Sequence, residues 1–200
     1  MLYLVWACGS ITEILGTKDT SGTCQRSFKV EDEVLMNGKK AKEIVKQKKL
    51  LEKIKEHGVT FELDGNIAYI SGKSALEVLS AKNVINAFNR GFDAAISSLL
   101  LDDDYDLVII SLRDYSNSEK RAMQLKGRVI GTRGLIKQRL MKATSCYINI
   151  YGKTISIIGQ IQNISIAQSA IEMILNGAKH DNVFSMINKK KVEVYLNGNR

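Results

Sequence analysis

The sequence predicts an α+β fold of two tandem βααββα units packed together, the first of them degenerate. Three observations carry this. The succession strand, helix, loop, helix, strand, turn, strand, helix occurs twice along the chain, each time in roughly 70 residues. A unit of that size suffices for a three-stranded sheet backed by three helices. With 44% hydrophobic and 25% charged residues in 200, the chain has the material for a core.

The elements follow in order. The apolar run Leu2–Ala7 is too short for a signal segment, and no basic residue precedes it. Residues 1–24 are read as an unplaced N-terminal arm. Ser27–Val30 is a short strand candidate. Lys39–Glu56 is a helix candidate, with Ile44, Val45, Leu50, Leu51 and Ile54 at mixed helical spacings among lysines, and Gly58 at its end. Val59–Leu63 and Ile67–Ile70 flank the hairpin signal Asp64-Gly65-Asn66. Ser74 with Glu77 forms a capping box for the next helix, and Asn83–Leu100 continues the apolar period.

The pattern then restarts. Asp102, Asp103, Asp104 and Asp106 are read as turn and helix-end residues rather than a metal cluster. Leu107–Leu112 is a strand, Ser116 or Ser118 starts a helix to Leu125, and a second helix spans Leu135–Lys142. Cys146–Ile150 and Thr154–Ile158 are strands around Tyr151-Gly152-Lys153. Ile164–Leu175 is a helix closed by Asn176-Gly177. The boundaries are therefore 25–100 for the degenerate unit with its joining helix, 101–180 for the second unit, and 181–200 for a basic C-terminal tail.

Charge locates the function. The net charge is +8, and from Lys120 to Ile171 there is no acid but nine basic residues. A field of one sign over that length calls for an anionic partner. At its centre stands Gly131-Thr132-Arg133-Gly134, between two predicted helices. Glycine admits positive φ and close backbone approach, and a helix start offers free N–H groups to phosphate. Arg128 and Arg133 are candidates for pairing with neighbouring phosphates. Aspartate at both glycines is expected to repel phosphate and to keep the fold, provided φ permits. The loop is neither a Walker loop nor a dinucleotide fingerprint. Three cysteines without a CxxC and two histidines without ligand spacing point to no structural zinc and to a reducing interior.

A GxxG between two helices, followed by a strand pair and a helix, is the type I KH arrangement, whose loop clamps four nucleotides of a single strand. Val129, Ile130, Leu135, Ile136 and Leu140 are candidates for one groove wall and Cys146–Ile150 for the other, with plain core as the competing explanation. Residues 125–159, "LKGRVIGTRGLIKQRLMKATSCYINIYGKTISIIG", together with 81–115 and 166–180, resemble the archaeal rRNA-processing KH-domain proteins. These are homologous to the eukaryotic partner-of-Nob-one small-subunit assembly factor. The resemblance implies binding of small-subunit rRNA near its 3′ end, with the Nob-one endonuclease and initiation factor two alpha as partners. No His–Asp–Ser or Cys–His constellation, metal spacing or nucleotide loop argues for an enzyme, and no run nears the roughly 20 apolar residues of a membrane span; a cytoplasmic monomer without cofactor is expected. The RNA-binding residues the resemblance and the charge pattern nominate are Arg128, Ile130, Gly131, Thr132, Arg133, Gly134, Lys137 and Lys153. The first half lacks a GxxG; either Val34–Ala41 or the basic Val45–Lys48 stands in its place. The alternative function is a protein adaptor whose basic face docks on an acidic assembly or initiation factor.

Overall fold

A computed structural model describes residues 29–116 and 118–198, with side chains to residue 194. The chain divides into two compact units between Asn89 and Arg90. Residues 90–100, expected to close the first unit, therefore belong to the second.

The first unit runs β1 (Val30–Leu35), α1 (Gly38–Ile44), α2 (Lys48–Glu56), β2 (Val59–Asp64), β3 (Ile67–Gly72) and α3 (Ala75–Asn89). Its antiparallel sheet has the order β1-β3-β2. Asp64 faces Ile67 across the hairpin, and Gly65 supplies the positive φ (57°) that so tight a turn needs. The single helix expected over Lys39–Glu56 is two. Ala41 and Ile44 are buried from α1, and Leu50 and Ile54 from α2. On one straight helix these pairs would point to nearly opposite sides, so the chain breaks at Val45–Gln47 and re-aims the second pair inward. Asn37 caps α1 by accepting the Lys39 N–H. The Asn89 side chain closes the unit, accepting from the Asn37 N–H at 2.8 Å and donating to the Leu35 carbonyl at 3.2 Å. The strand expected at Ser27–Val30 begins only at Val30; Ser27 and Phe28 lie outside the described residues.

The second unit starts with a turn at Gly91 (φ 87°), which ends the helical run expected as far as Leu100. A short α4 (Ala94–Ser97) and a 3-10 turn lead to β4 (Tyr105–Ser111). There follow α5 (Glu119–Ile130), α6 (Leu135–Thr144), β5 (Tyr147–Tyr151), β6 (Thr154–Gln160), α7 (Ile161–Leu175) and α8 (His180–Gly198). The sheet order is β4-β6-β5, again antiparallel, which repeats the first unit's topology. Ser118 is the cap of α5, accepting from the Arg121 N–H. The aspartates at the entry act as turn residues: Asp102 accepts from the Asp104 N–H, and the Asp104 carbonyl receives Ile161 N–H at 3.0 Å. Ile110, Leu125, Val129, Leu140, Ile148, Ile155, Ile157, Ile171 and Ile174 form the core.

The expected basic tail is a helix as far as Gly198. Val183, Phe184 and Ile187 of α8 are buried in that same core, at a helical spacing that the intervening lysines and asparagines obscure. The corner before it is a Schellman turn: Ala178 N–H reaches the Met173 carbonyl and Gly177 N–H the Ile174 carbonyl, with Gly177 at φ 97°. Among the described residues no helix is long and apolar enough to cross a membrane.

Candidate nucleic-acid interface

Helix α5 runs past the expected end at Leu125 to Ile130, and Gly131 stops it. Gly131 N–H still closes on the Gly127 carbonyl at 2.8 Å, but its φ of 72° and ψ of 177° lie where a side chain is not tolerated. Thr132-Arg133-Gly134 form one 3-10 turn, with Arg133 (φ 54°) and Gly134 (φ 77°, ψ 10°) both left-handed. Leu135 then opens α6.

The two glycines meet different needs. A Cβ on Gly131 would stand 2.3 Å from Ile136 Cγ1 and 2.7 Å from its Cβ, so this glycine admits the first turn of α6. At Gly134 nothing lies within 4 Å, so that glycine provides conformation and open space. Thr132 and Arg133 are exposed between them. The loop borders an open depression shared with Gln124, Gly127, Arg128, Leu135, Ile136 and His180.

The predicted residues do not all gather there. Arg128 lines the depression but is already engaged within the fold. Its guanidinium donates to the Ile174 carbonyl at 3.0 Å and the Ala178 carbonyl at 2.6 Å, and the His180 ring meets Arg128's own carbonyl at 3.1 Å. Arg128 thus satisfies carbonyls at the end of α7 from a place on the rim of the depression. Lys153 pairs with Glu119, holding that carboxyl below its usual range through the hydrogen bond and the charge. It stands at the start of α5, roughly 17 Å of helix from the loop at about 1.5 Å per residue. Of the proposed groove walls, Val129, Leu140, Cys146 and Ile148 are core. Ile130, Ile136 and Ile150 are half-buried, and Leu135 is 60% exposed. Burial pushes the Cys146 thiol up, away from a reactive thiolate.

Lys137 is half-buried one turn into α6, and its ammonium reaches Asn149 Oδ1 on β5 at 3.4 Å. Desolvation holds its pKa below the ordinary lysine value. Asn149 in turn donates to the Arg90 carbonyl at 2.9 Å. The sequence reading missed Asn149; its signal is a lone amide between Ile148 and Ile150 of a strand.

In the first unit the position of the loop falls to Val45-Lys46-Gln47, of the two alternatives the second. These residues are exposed, none has positive φ, and Gln47 makes no side-chain cap to α2. Close backbone approach by a ligand is therefore not built in. Lys48, Lys49 and Lys55 stand on the exposed face of α2.

A family described as the eukaryotic-type KH domain (KH-domain type I), in its PNO1 second-domain form, matches residues 106–192. The chain is 34% identical over 152 residues to a KH domain-containing protein of Methanocaldococcus jannaschii, covering 74% of this chain and 66% of that one. It is 30% identical over 112 residues to the pre-rRNA-processing protein pno1 of Aspergillus oryzae, covering 54% of this chain and 43% of that one. The chain thus spans about two thirds and under half of these relatives. The a/eIF2alpha-aDim2p-rRNA complex of Pyrococcus horikoshii contains a chain similar to this one. The two share 26% identity at a TM-score of 0.72, over 83% of this chain and 96% of that one.

Proposed function

This chain belongs to the family of archaeal KH-domain proteins related to the eukaryotic pre-rRNA-processing protein pno1, and on that premise we propose that it binds single-stranded small-subunit rRNA. The observation that carries the proposal is the turn Gly131-Thr132-Arg133-Gly134, open at Gly134, inside the stretch that has no acid from Lys120 to Ile171. A phosphate at the turn meets Arg133, exposed backbone and the start of α6. Bases lie along Ile130, Ile136 and Ile150, with Lys137 and Asn149 presenting polar groups to them. Such a site holds RNA in register and breaks no bond; the protein works by positioning the rRNA segment during small-subunit maturation.

The target is rRNA near its 3′ end, with the Nob-one endonuclease acting alongside. Initiation factor two alpha is the further partner, a reading favoured by the composition of the P. horikoshii complex. The first unit, with no clamp at Val45–Gln47, serves as scaffold or protein-contact surface, with diffuse lysine contacts to RNA at most. The protein acts as a monomer.

Gly134→Asp tests the clamp. Aspartate tolerates the left-handed region at a cost of about 1 kcal/mol. It places a negative charge where a phosphate sits and costs one charge-assisted contact, so affinity for a 3′-terminal rRNA oligonucleotide should fall about 10- to 100-fold. Titration of the folded variant with unchanged affinity would remove the clamp reading. Loss of factor binding with RNA binding intact would favour the adaptor.

A further inference from the structure

We infer that the outer face of α6 and the adjoining side of α8 form a second RNA-backbone contact, a cationic ridge that takes the strand flanking the four clamped nucleotides. The inference rests on the clamp reading above but uses other residues. Leu135, Arg139 and Lys142 are exposed on α6, and Ser145 is exposed at its end. Arg139, Lys142 and Ser145 are three apart, so they form one row along the helix, beginning about a turn beyond Gly134.

Helix α8 completes the row. Its buried Val183, Phe184 and Ile187 anchor it, so its lysines are held in place rather than trailing. The Arg139 guanidinium lies 4.0 Å from the centre of the Phe184 ring, a contact that orders it without neutralising its charge. The Lys191 ammonium reaches Ser145 Oγ at 3.4 Å. That partner is neutral, so the charge stays uncompensated. Among the described residues none of Arg139, Lys142 and Lys191 is in an ion pair. From Arg139 to Ser145 the row covers about 9 Å at about 1.5 Å per residue, the length of two to three stacked nucleotides at about 3.4 Å each. Ordered cations in a line at that pitch fit a phosphodiester strand.

The test uses the full chain with two single-stranded probes from the 3′ end of small-subunit rRNA, one of four nucleotides and one of twelve. Wild type should bind the longer probe more tightly and with the steeper salt dependence. Lys142→Gln with Lys191→Gln should leave the short probe within about twofold and weaken the long one about tenfold. Its salt slope should become shallower by about 1.4, at about 0.7 per lost contact. The charge reversal of the same two residues should deepen the loss on the long probe, with circular dichroism confirming the fold. Equal binding of the two probes by wild type overturns the ridge. So does an unchanged slope on the long probe, which reassigns the face to an acidic protein, or equal weakening of the short probe. Gly134→Asp separates the two readings. If it leaves both probes unaffected while the lysine variant weakens the long one, the clamp fails and the ridge stands.

Discussion

Gly131→Ala should destabilise the second unit by about 3–5 kcal/mol, a large share of a domain's ordinary margin of about 5–15 kcal/mol. Two costs add. The backbone at φ 72° and ψ 177° is a region that belongs to glycine. The new methyl would also sit 2.3 Å from Ile136 Cγ1, with the Ile136 backbone nitrogen only 3.0 Å away, so moving the side chain does not relieve the contact. Either the α5–α6 turn opens or Ile136 leaves its place against the core. Thermal unfolding followed by circular dichroism should show a midpoint lower by roughly 10 °C or more. A midpoint within a degree or two of wild type would show that the turn adapts freely. The same geometry corrects the expectation that aspartate at both glycines keeps the fold. Only Gly134 has the room, so the double substitution confounds loss of RNA with loss of structure.

Arg128→Met should cost about 2–3 kcal/mol while leaving RNA affinity within about twofold at a temperature where the variant is folded. The methionine keeps the apolar stem but withdraws the donors from the Ile174 and Ala178 carbonyls. Those carbonyls end α7 and begin the corner into α8, so the loss falls on the joint that carries α8. A cation there also suits the negative end of the α7 dipole. Arg128→Lys should recover part of the stability through a single contact. Chemical denaturation measures the first effect and oligonucleotide titration the second. A fully stable variant with RNA binding down tenfold would return Arg128 to the phosphate and refute the structural role.

The elements that were legible share one property: their signals are local. Asp64-Gly65-Asn66 turns because glycine at its centre takes positive φ, and the same reasoning located Tyr151-Gly152-Lys153 and Asn176-Gly177. Of Ser116 and Ser118, the two candidates for the start of α5, Ser118 is the cap. The GxxG, its place between two helices and its acid-free surroundings needed only the order of residues. Where local signals were weak, the reading erred. Lys39–Glu56 looked like one helix because lysines tolerate helix anywhere, and only the direction of the core showed that Leu50 and Ile54 need a break before them. Residues 181–200 read as a tail because Val183, Phe184 and Ile187 are few among polar neighbours.

The sequence alone determined the repeated βααββα order, the turns and the place of the Gly131–Gly134 loop, since each depends on residues within a few positions of one another. Tertiary structure decided which cations find partners within the fold. Arg128 and Arg133 are alike in composition and five residues apart. One is taken up by carbonyls 46 and 50 residues away, and the other stays at the surface. Lys153 meets Glu119 across 34 residues, and Asn149 meets Arg90 across 59. Such pairings depend on how the sheet and helices pack. A charged side chain's local context records what it can bond, while the folded chain sets which partner comes within reach.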